Sequence, residues 1–286
     1  MNKLFILIIT LAMVFSIAAC GKSDTTGSSL QSGEKTGQEE IAQAEQQNQQ
    51  KQTEQSKDSA EVGGGQKMVN QSFGAFKEVR TKFNDYVVDQ EHEIVGPGLP
   101  TVSVFDANIF DYVLPLDFIG LSVDTTGKFD IATENQMLKQ GWANDAQLTY
   151  DEATGYLLTG TNSQGNKLEL KIKYDEKTDS LRLEVYKDGV FDLLFEYVAI
   201  DGGYAAQYHL ESIIGHENFT PITALCNYKM IYKGTDGSMA RYDKVSSEPV
   251  SIFGSPPDPK SFIDGATHWF TVSNGQFTGS IDGKEF

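Results

Sequence analysis

The clearest pattern in the chain is a strict alternation of apolar and charged positions. From Lys167 to Tyr174, Leu168, Leu170, Ile172 and Tyr174 fall on one side, and Lys167, Glu169, Lys171 and Lys173 on the other. Leu181, Leu183 and Val185 alternate with Arg182, Glu184 and Tyr186 in the next run. Phe191, Leu193, Phe195 and Tyr197 resume the pattern after Lys187-Asp188-Gly189. A period of two with a charged opposite side predicts antiparallel strands with one dry and one wet face. The Asp-Gly pair predicts a tight hairpin. Further strand pairs flank Thr235-Asp236-Gly237 (Tyr228–Lys233 with Met239–Lys244) and Asn274-Gly275 (His268–Val272 with Phe277–Ile281), the latter fitting a two-residue type I′ loop. Pro256, Pro257 and Pro259 break the ladder between them, with a helical turn expected over Pro259 to Ile263.

A weak internal repeat fits a meander. Leu148-Thr149-Tyr150-Asp151-Glu152-Ala153-Thr154-Gly155-Tyr156-Leu157 is echoed 24 residues later by Ile172 to Leu181. Each copy reads as strand, acidic turn, strand, and a third copy is missing, so the repeat is two hairpins rather than a solenoid.

Ahead of the strands the period changes. Phe73, Phe76, Val79, Phe83 and Tyr86/Val87 recur every three or four residues between Val69 and Gln90, which places an aromatic stripe along one face of a helix. Ser72 is a candidate early cap, and Gly96-Pro97-Gly98 stops the helix. Residues 101–146 are the least regular part. Val102, Val104 and Phe105 read as the start of a strand, Phe110 to Phe118 is an apolar run broken by Pro115, and Ala132 to Gln140 reads as a short helix ending at Gly141. The expected class is therefore α+β: a long antiparallel, curved β-meander sheet with an N-terminal amphipathic helix packed on its apolar face.

The first 67 residues are of another kind. Residues 1–20 read MNKLFILIITLAMVFSIAAC, with Lys3 ahead of an apolar run from Leu4 to Ala19. Such a run is shorter than the ~20 residues a membrane-spanning helix needs and fits a signal-peptide core followed by a small-residue cleavage site. Ile17-Ala18-Ala19-Cys20, followed by Gly21, resembles the lipobox of bacterial lipoproteins. The resemblance covers only this segment. It implies cleavage between Ala19 and Cys20, a diacylglyceryl group on the Cys20 thiol, further acylation such as palmitate, and an anchor on the outer face of the cell membrane.

From Gly21 to Lys67 the chain holds ten glutamines, no aromatic residue, and only Leu30, Ile41 and Val62 as large aliphatics. That composition buries too little surface to offset its ordering entropy, so a disordered tether is expected, spanning roughly 38 Å as a flexible coil. The division is 1–19 signal peptide, 20–67 lipidated cysteine and Gln/Ser/Gly-rich tether, and 68–286 one extracytoplasmic domain.

Composition then narrows the function. Of a net charge of −17, residues 1–67 carry 6 Lys and Arg against 8 Asp and Glu, and residues 68–286 carry 17 against 32. A body at −15 does not suit a nucleic-acid partner, because phosphate binding needs a basic face. With Cys20 lipidated, Cys226 is the mature domain's one thiol, which excludes an internal disulfide.

Candidate chemistry is sparse. His216-Glu217 opens like a zinc-protease motif, but Thr220 stands where the second histidine belongs. His209 and Glu211 share one face of a strand and are the remaining metal candidates, with no third ligand in view. Cys226, in a strand-like stretch, reads as a buried structural thiol. The carboxylates at Asp151-Glu152, Asp175-Glu176 with Asp179, Asp124 with Asp130, and Asp201 read as turn residues with at most weak calcium affinity. No cofactor and no catalytic residue is expected. The sequence predicts a lipid-anchored, non-catalytic binding or scaffolding protein with a protein, envelope or apolar small-molecule partner. Its rivals are a carrier enclosing an apolar ligand between sheet and helix, and a cell-envelope hydrolase using paired carboxylates.

Overall fold

The computed structural model describes residues 68–94, 104–105, 109–122 and 129–286, giving only the backbone of 91–94, 110 and 111. The signal segment, Cys20, the tether, Gly96-Pro97-Gly98, Val102 and Asp124 lie outside the described residues. The described residues belong to one compact unit.

Eleven strands form one sheet in simple chain order, every pairing antiparallel: β1 (Gln147–Asp151), β2 (Gly155–Thr161), β3 (Lys167–Asp175), β4 (Ser180–Lys187), β5 (Val190–Ile200), β6 (Gly203–Glu217), β7 (Thr220–Lys233), β8 (Asp236–Asp243), β9 (His268–Ser273), β10 (Gln276–Ile281) and β11 (Lys284–Glu285). The chain can run this way because its turns supply the backbone conformations that two-residue hairpins require. Asp188-Gly189 (φ 51° and 81°), Asn274-Gly275 (51° and 76°) and Asp282-Gly283 (53° and 74°) each put two successive residues in the left-handed region, as a type I′ loop demands. The repeat seen in the sequence is β1–β2 and β3–β4.

Two longer helices, one short helix and a 3-10 turn precede the sheet among the described residues: α1 (Val69–Ile94), α2 (Phe110–Val113), the turn over Leu114–Asp117, and α3 (Ile131–Gly141). The α+β class holds. The carboxylate of Asp130 caps α3 by accepting the Ala132 and Thr133 N–H groups. Asn135 ties the same helix to β1, donating to the Leu148 carbonyl and accepting its N–H.

Two sequence expectations need correction here. Val104 and Phe105 are helical rather than extended. Ser72 is not a cap, since its N–H already makes the helical bond to the Met68 carbonyl. Its hydroxyl donates instead to Asp179 at 2.6 Å and accepts from the Tyr197 hydroxyl at 2.8 Å.

One face of the sheet carries the main core, with Leu170, Ile172, Leu183, Val185, Tyr197 and Phe270 among its fully buried side chains. Phe76 stacks on Tyr197 with centroids 4.7 Å apart, and Phe83 stacks on Phe270 at 6.2 Å. Each ring hidden this way contributes on the order of 1.5–3 kcal/mol.

The opposite face departs from the expected wet side. The connection from β8 to β9 runs back across the sheet as a strap. Its Ile252 and Phe262 pack with Val198, Ala205 and Ile231, so Leu193 to Val198 of β5 are buried on both faces. Under the strap lies a charged group. Glu196, fully buried, accepts from Arg182, from the Gln207 amide at 2.6 Å, from the Ser251 hydroxyl at 2.6 Å and from the Ile252 N–H at 3.0 Å. The helical turn expected over Pro259 to Ile263 is a single bond from the Phe262 N–H to the Asp258 carbonyl.

Candidate functional site

The strands are unequal in length, and that inequality creates the most exposed apolar feature among the described residues. Pairing of β5 with β6 stops at Leu193–Leu210, and pairing of β7 with β8 stops at Cys226–Asp243. Beyond those points Glu211–Glu217 and Thr220–Leu225 pair with each other, apart from one bond from the Val245 N–H to the Leu225 carbonyl. At about 3.3 Å per residue this ribbon extends about 20 Å past its neighbours.

Its surface is unusual for a solvated hairpin. Ile213, Ile222 and Leu225 are all exposed, and Phe219 at the tip is 100% exposed. No lysine or arginine occurs from Glu211 to Leu225. The tip is also strained: Asn218 has φ 48° and Phe219 φ 66°. The left-handed region suits asparagine, but phenylalanine there costs roughly 1–2 kcal/mol, and glycine is the usual occupant of the second loop position. Phe219 is thus a bulky apolar residue held in solvent on a strained turn, where its ring contributes nothing to the core.

The metal candidates sit at the root of this ribbon. His209 is buried, with Nδ1 2.6 Å from the Asn227 side-chain oxygen and its ring 6.0 Å from that of Phe191. Glu211 is exposed and accepts from the Thr223 hydroxyl at 2.8 Å. The two side chains thus have separate partners, and no group of three His, Cys, Asp or Glu able to hold a metal occurs among the described residues. His216 is exposed near the tip, opposite Pro221.

Cys226 is buried in a polar knot. Its thiol lies 3.4 Å from Asp243, whose carboxylate also accepts from Arg241 at 2.6 Å and lies 3.2 Å from His268 Nε2. Burial, reinforced by the Asp243 charge, pushes the thiol up to about 11, so it stays protonated and is a poor nucleophile.

The acidic turns use their carboxylates locally. Asp151 accepts the Ala153 and Thr154 N–H groups, and Asp175 accepts the Lys177 N–H and the Thr178 hydroxyl. Burial pushes the Glu134 carboxyl above its ordinary range, against the backbone N–H groups that favour its charge. Its Oε1 accepts from Gly120 at 3.0 Å and Ser122 at 2.8 Å, which fixes the chain ahead of α3.

The projecting ribbon was not among the features expected from the sequence. Its signals were the alternation on either side of Asn218-Phe219 and an apolar residue standing where a hairpin turn prefers glycine. The site therefore defines the class at the level of architecture: an α+β domain built on an eleven-stranded antiparallel meander that projects an apolar β-hairpin. No family model, curated protein or solved structure matches the chain.

Proposed function

We propose that the chain is a lipid-anchored extracytoplasmic docking protein, whose domain recognises a protein partner through the β6–β7 hairpin and catalyses nothing. Cys20 holds the diacylglyceryl anchor after cleavage at Ala19, and residues 20–67 space the domain from the membrane. The 68–286 domain is the rigid mount, with α1 lying along the apolar face of a curved sheet. Ring contacts of Phe76 and Phe83 support that placement. They also weigh against a carrier, since they fill the face a lipid would occupy.

The observation that carries the reading is Phe219, fully exposed on a strained turn. The partner supplies an apolar socket for this ring and, facing a body of net charge −15, a basic surround that raises the association rate. A photo-reactive residue at Ile222, tested in native membranes, should give a discrete protein adduct that disappears when Phe219→Gly is added. The same probe at exposed Val190 should give none. Phe219→Gly should leave the fold intact and raise stability by about 1 kcal/mol through relief of the turn. Equal labelling from Ile222 and Val190 would remove the proposal, and Cys20→Ser should release the protein from the membrane fraction.

A further inference from the structure

A cleft of about 460 Å³ opens at the far end of the sheet from the hairpin root, among the β1–β2 turn, the β3–β4 turn, the start of α1 and Phe253 of the strap. Its volume falls within the ~300–1,000 Å³ typical of small-molecule sites. The turn geometry builds its floor. Gly155, at φ 85°, brings the β1–β2 loop against the Ile172 carbonyl, where a Cβ would come within 2.4 Å.

The walls are aromatic. Tyr150 and Tyr156 meet at 4.7 Å between centroids with their planes tilted by 45°, forming a corner. Phe129 braces Tyr156 from behind, edge-on at 5.6 Å. Tyr150 is 49% exposed, so its ring is available for stacking. Burial, with smaller contributions from Tyr150 and Glu134, pushes the Tyr156 phenol up to about 12, so it remains a neutral donor. Tyr174 and Phe253 complete the ring-lined part of the wall.

The rim is of mixed charge. Glu152, Asp175 and Glu176 stand among Lys173 and Lys177. Asp175 is fixed by its two turn bonds. A small cation entering the cleft would meet two ammonium groups, and an anion would meet three carboxylates, so either is penalised. A neutral ligand with many hydroxyls and an apolar C–H face suits both parts. Its hydroxyls accept from the lysines and donate to the carboxylates, and its C–H face covers Tyr150. We propose that this cleft binds an uncharged saccharide chain. The site lies on β1–β4 and the strap, away from the β6–β7 hairpin, and does not depend on the docking function.

The test uses the full mature lipoprotein in a polyoxyethylene detergent, which carries no sugar headgroup. Cello-, chito-, malto- and xylotetraose are titrated by calorimetry beside choline chloride and inorganic phosphate. At least one tetraose should bind, Tyr150→Ala should weaken it tenfold or more, and Tyr150→Phe should retain it, since stacking needs the ring and not the hydroxyl. Phe219→Gly should leave sugar binding unchanged, which separates this result from the fate of the docking hairpin. Matching circular dichroism spectra for the variants show that the fold is kept. The proposal is overturned if no tetraose binds, if binding ignores Tyr150→Ala, or if choline or phosphate is the ligand whose binding Tyr150→Ala removes.

Discussion

Glu134 shows how one side chain can make stability depend on pH. Its Oε1 accepts two backbone N–H groups, while Oε2 is buried without a hydrogen-bond partner. Burial raises its proton affinity in the folded state relative to the unfolded chain, where such a group ionises near 4.5. The folded protein therefore holds this proton to higher pH. The sign follows from linkage: between the unfolded and folded values the native state binds more protons, so this group's contribution to stability falls as pH rises. Glu134→Gln keeps an acceptor for Gly120 and Ser122 and removes the charge. Urea melts from pH 4 to 7 should show wild type losing stability relative to Glu134→Gln as pH rises, and a constant gap would refute this. Nothing in the sequence distinguished Glu134 from the other thirty-one acidic residues of the domain, because its environment is made by Gly120 and Ser122, twelve or more positions away. Ser72 likewise owes its role to residues far from it in the chain. A serine early in a helix resembles a cap until its distant partners, Asp179 and Tyr197, are known.

At the level of elements, strands and tight turns were readable because their determinants are local. Alternation fixes which side is buried, and Asp188-Gly189 and Asn274-Gly275 fix the register. The strap was not readable. Ile252 and Phe262 are ten residues apart in a stretch rich in proline and serine, with no period to reveal that both face the sheet. What holds them is Glu196, which binds Arg182 within the sheet and the Ser251 hydroxyl and Ile252 N–H of the strap. Arg182 also pairs with Glu184 at 2.8 Å, so removing Glu196 does not leave the guanidinium wholly unpaired. It does strip the acceptor from three further donors at a buried site. Glu196→Ala should therefore destabilise the fold by about 1–3 kcal/mol for each donor left unsatisfied and loosen the strap before the sheet. Trypsin reports on the second effect, because Lys260 is exposed on the strap. Cleavage there should accelerate well below the urea midpoint. Wild-type cleavage at Lys260 together with wild-type stability would show that Glu196 is not the clamp.

For the whole molecule the governing quantity is charge. The sheet pairs only chain neighbours, so its topology asks little of long-range order, yet residues 68–286 carry 17 cationic against 32 anionic side chains. Self-repulsion at −15 opposes compaction, and salt weakens it. The same salt weakens exposed ion pairs such as Lys171–Glu169, but each of these contributes at most about 1 kcal/mol. The Arg182–Glu196 and Arg241–Asp243 pairs are sheltered and respond less. Repulsion is the larger effect, so the melting temperature should rise as NaCl is raised from about 10 to 500 mM, where the Debye length falls from roughly 30 to 4 Å. For a domain of this size each kcal/mol gained appears as about 2–4 °C. Choline chloride should act as NaCl does, because screening depends on ionic strength and not on the cation. Calcium separates screening from recognition. Asp151 and Asp175 already accept turn N–H and hydroxyl donors, which leaves them poor ligands, so 1 mM CaCl₂ should do no more than NaCl of equal ionic strength. A calcium-specific rise would mean that carboxylates of the domain converge on an ion, and a fall in melting temperature with NaCl would mean that attraction between surface charges outweighs their repulsion.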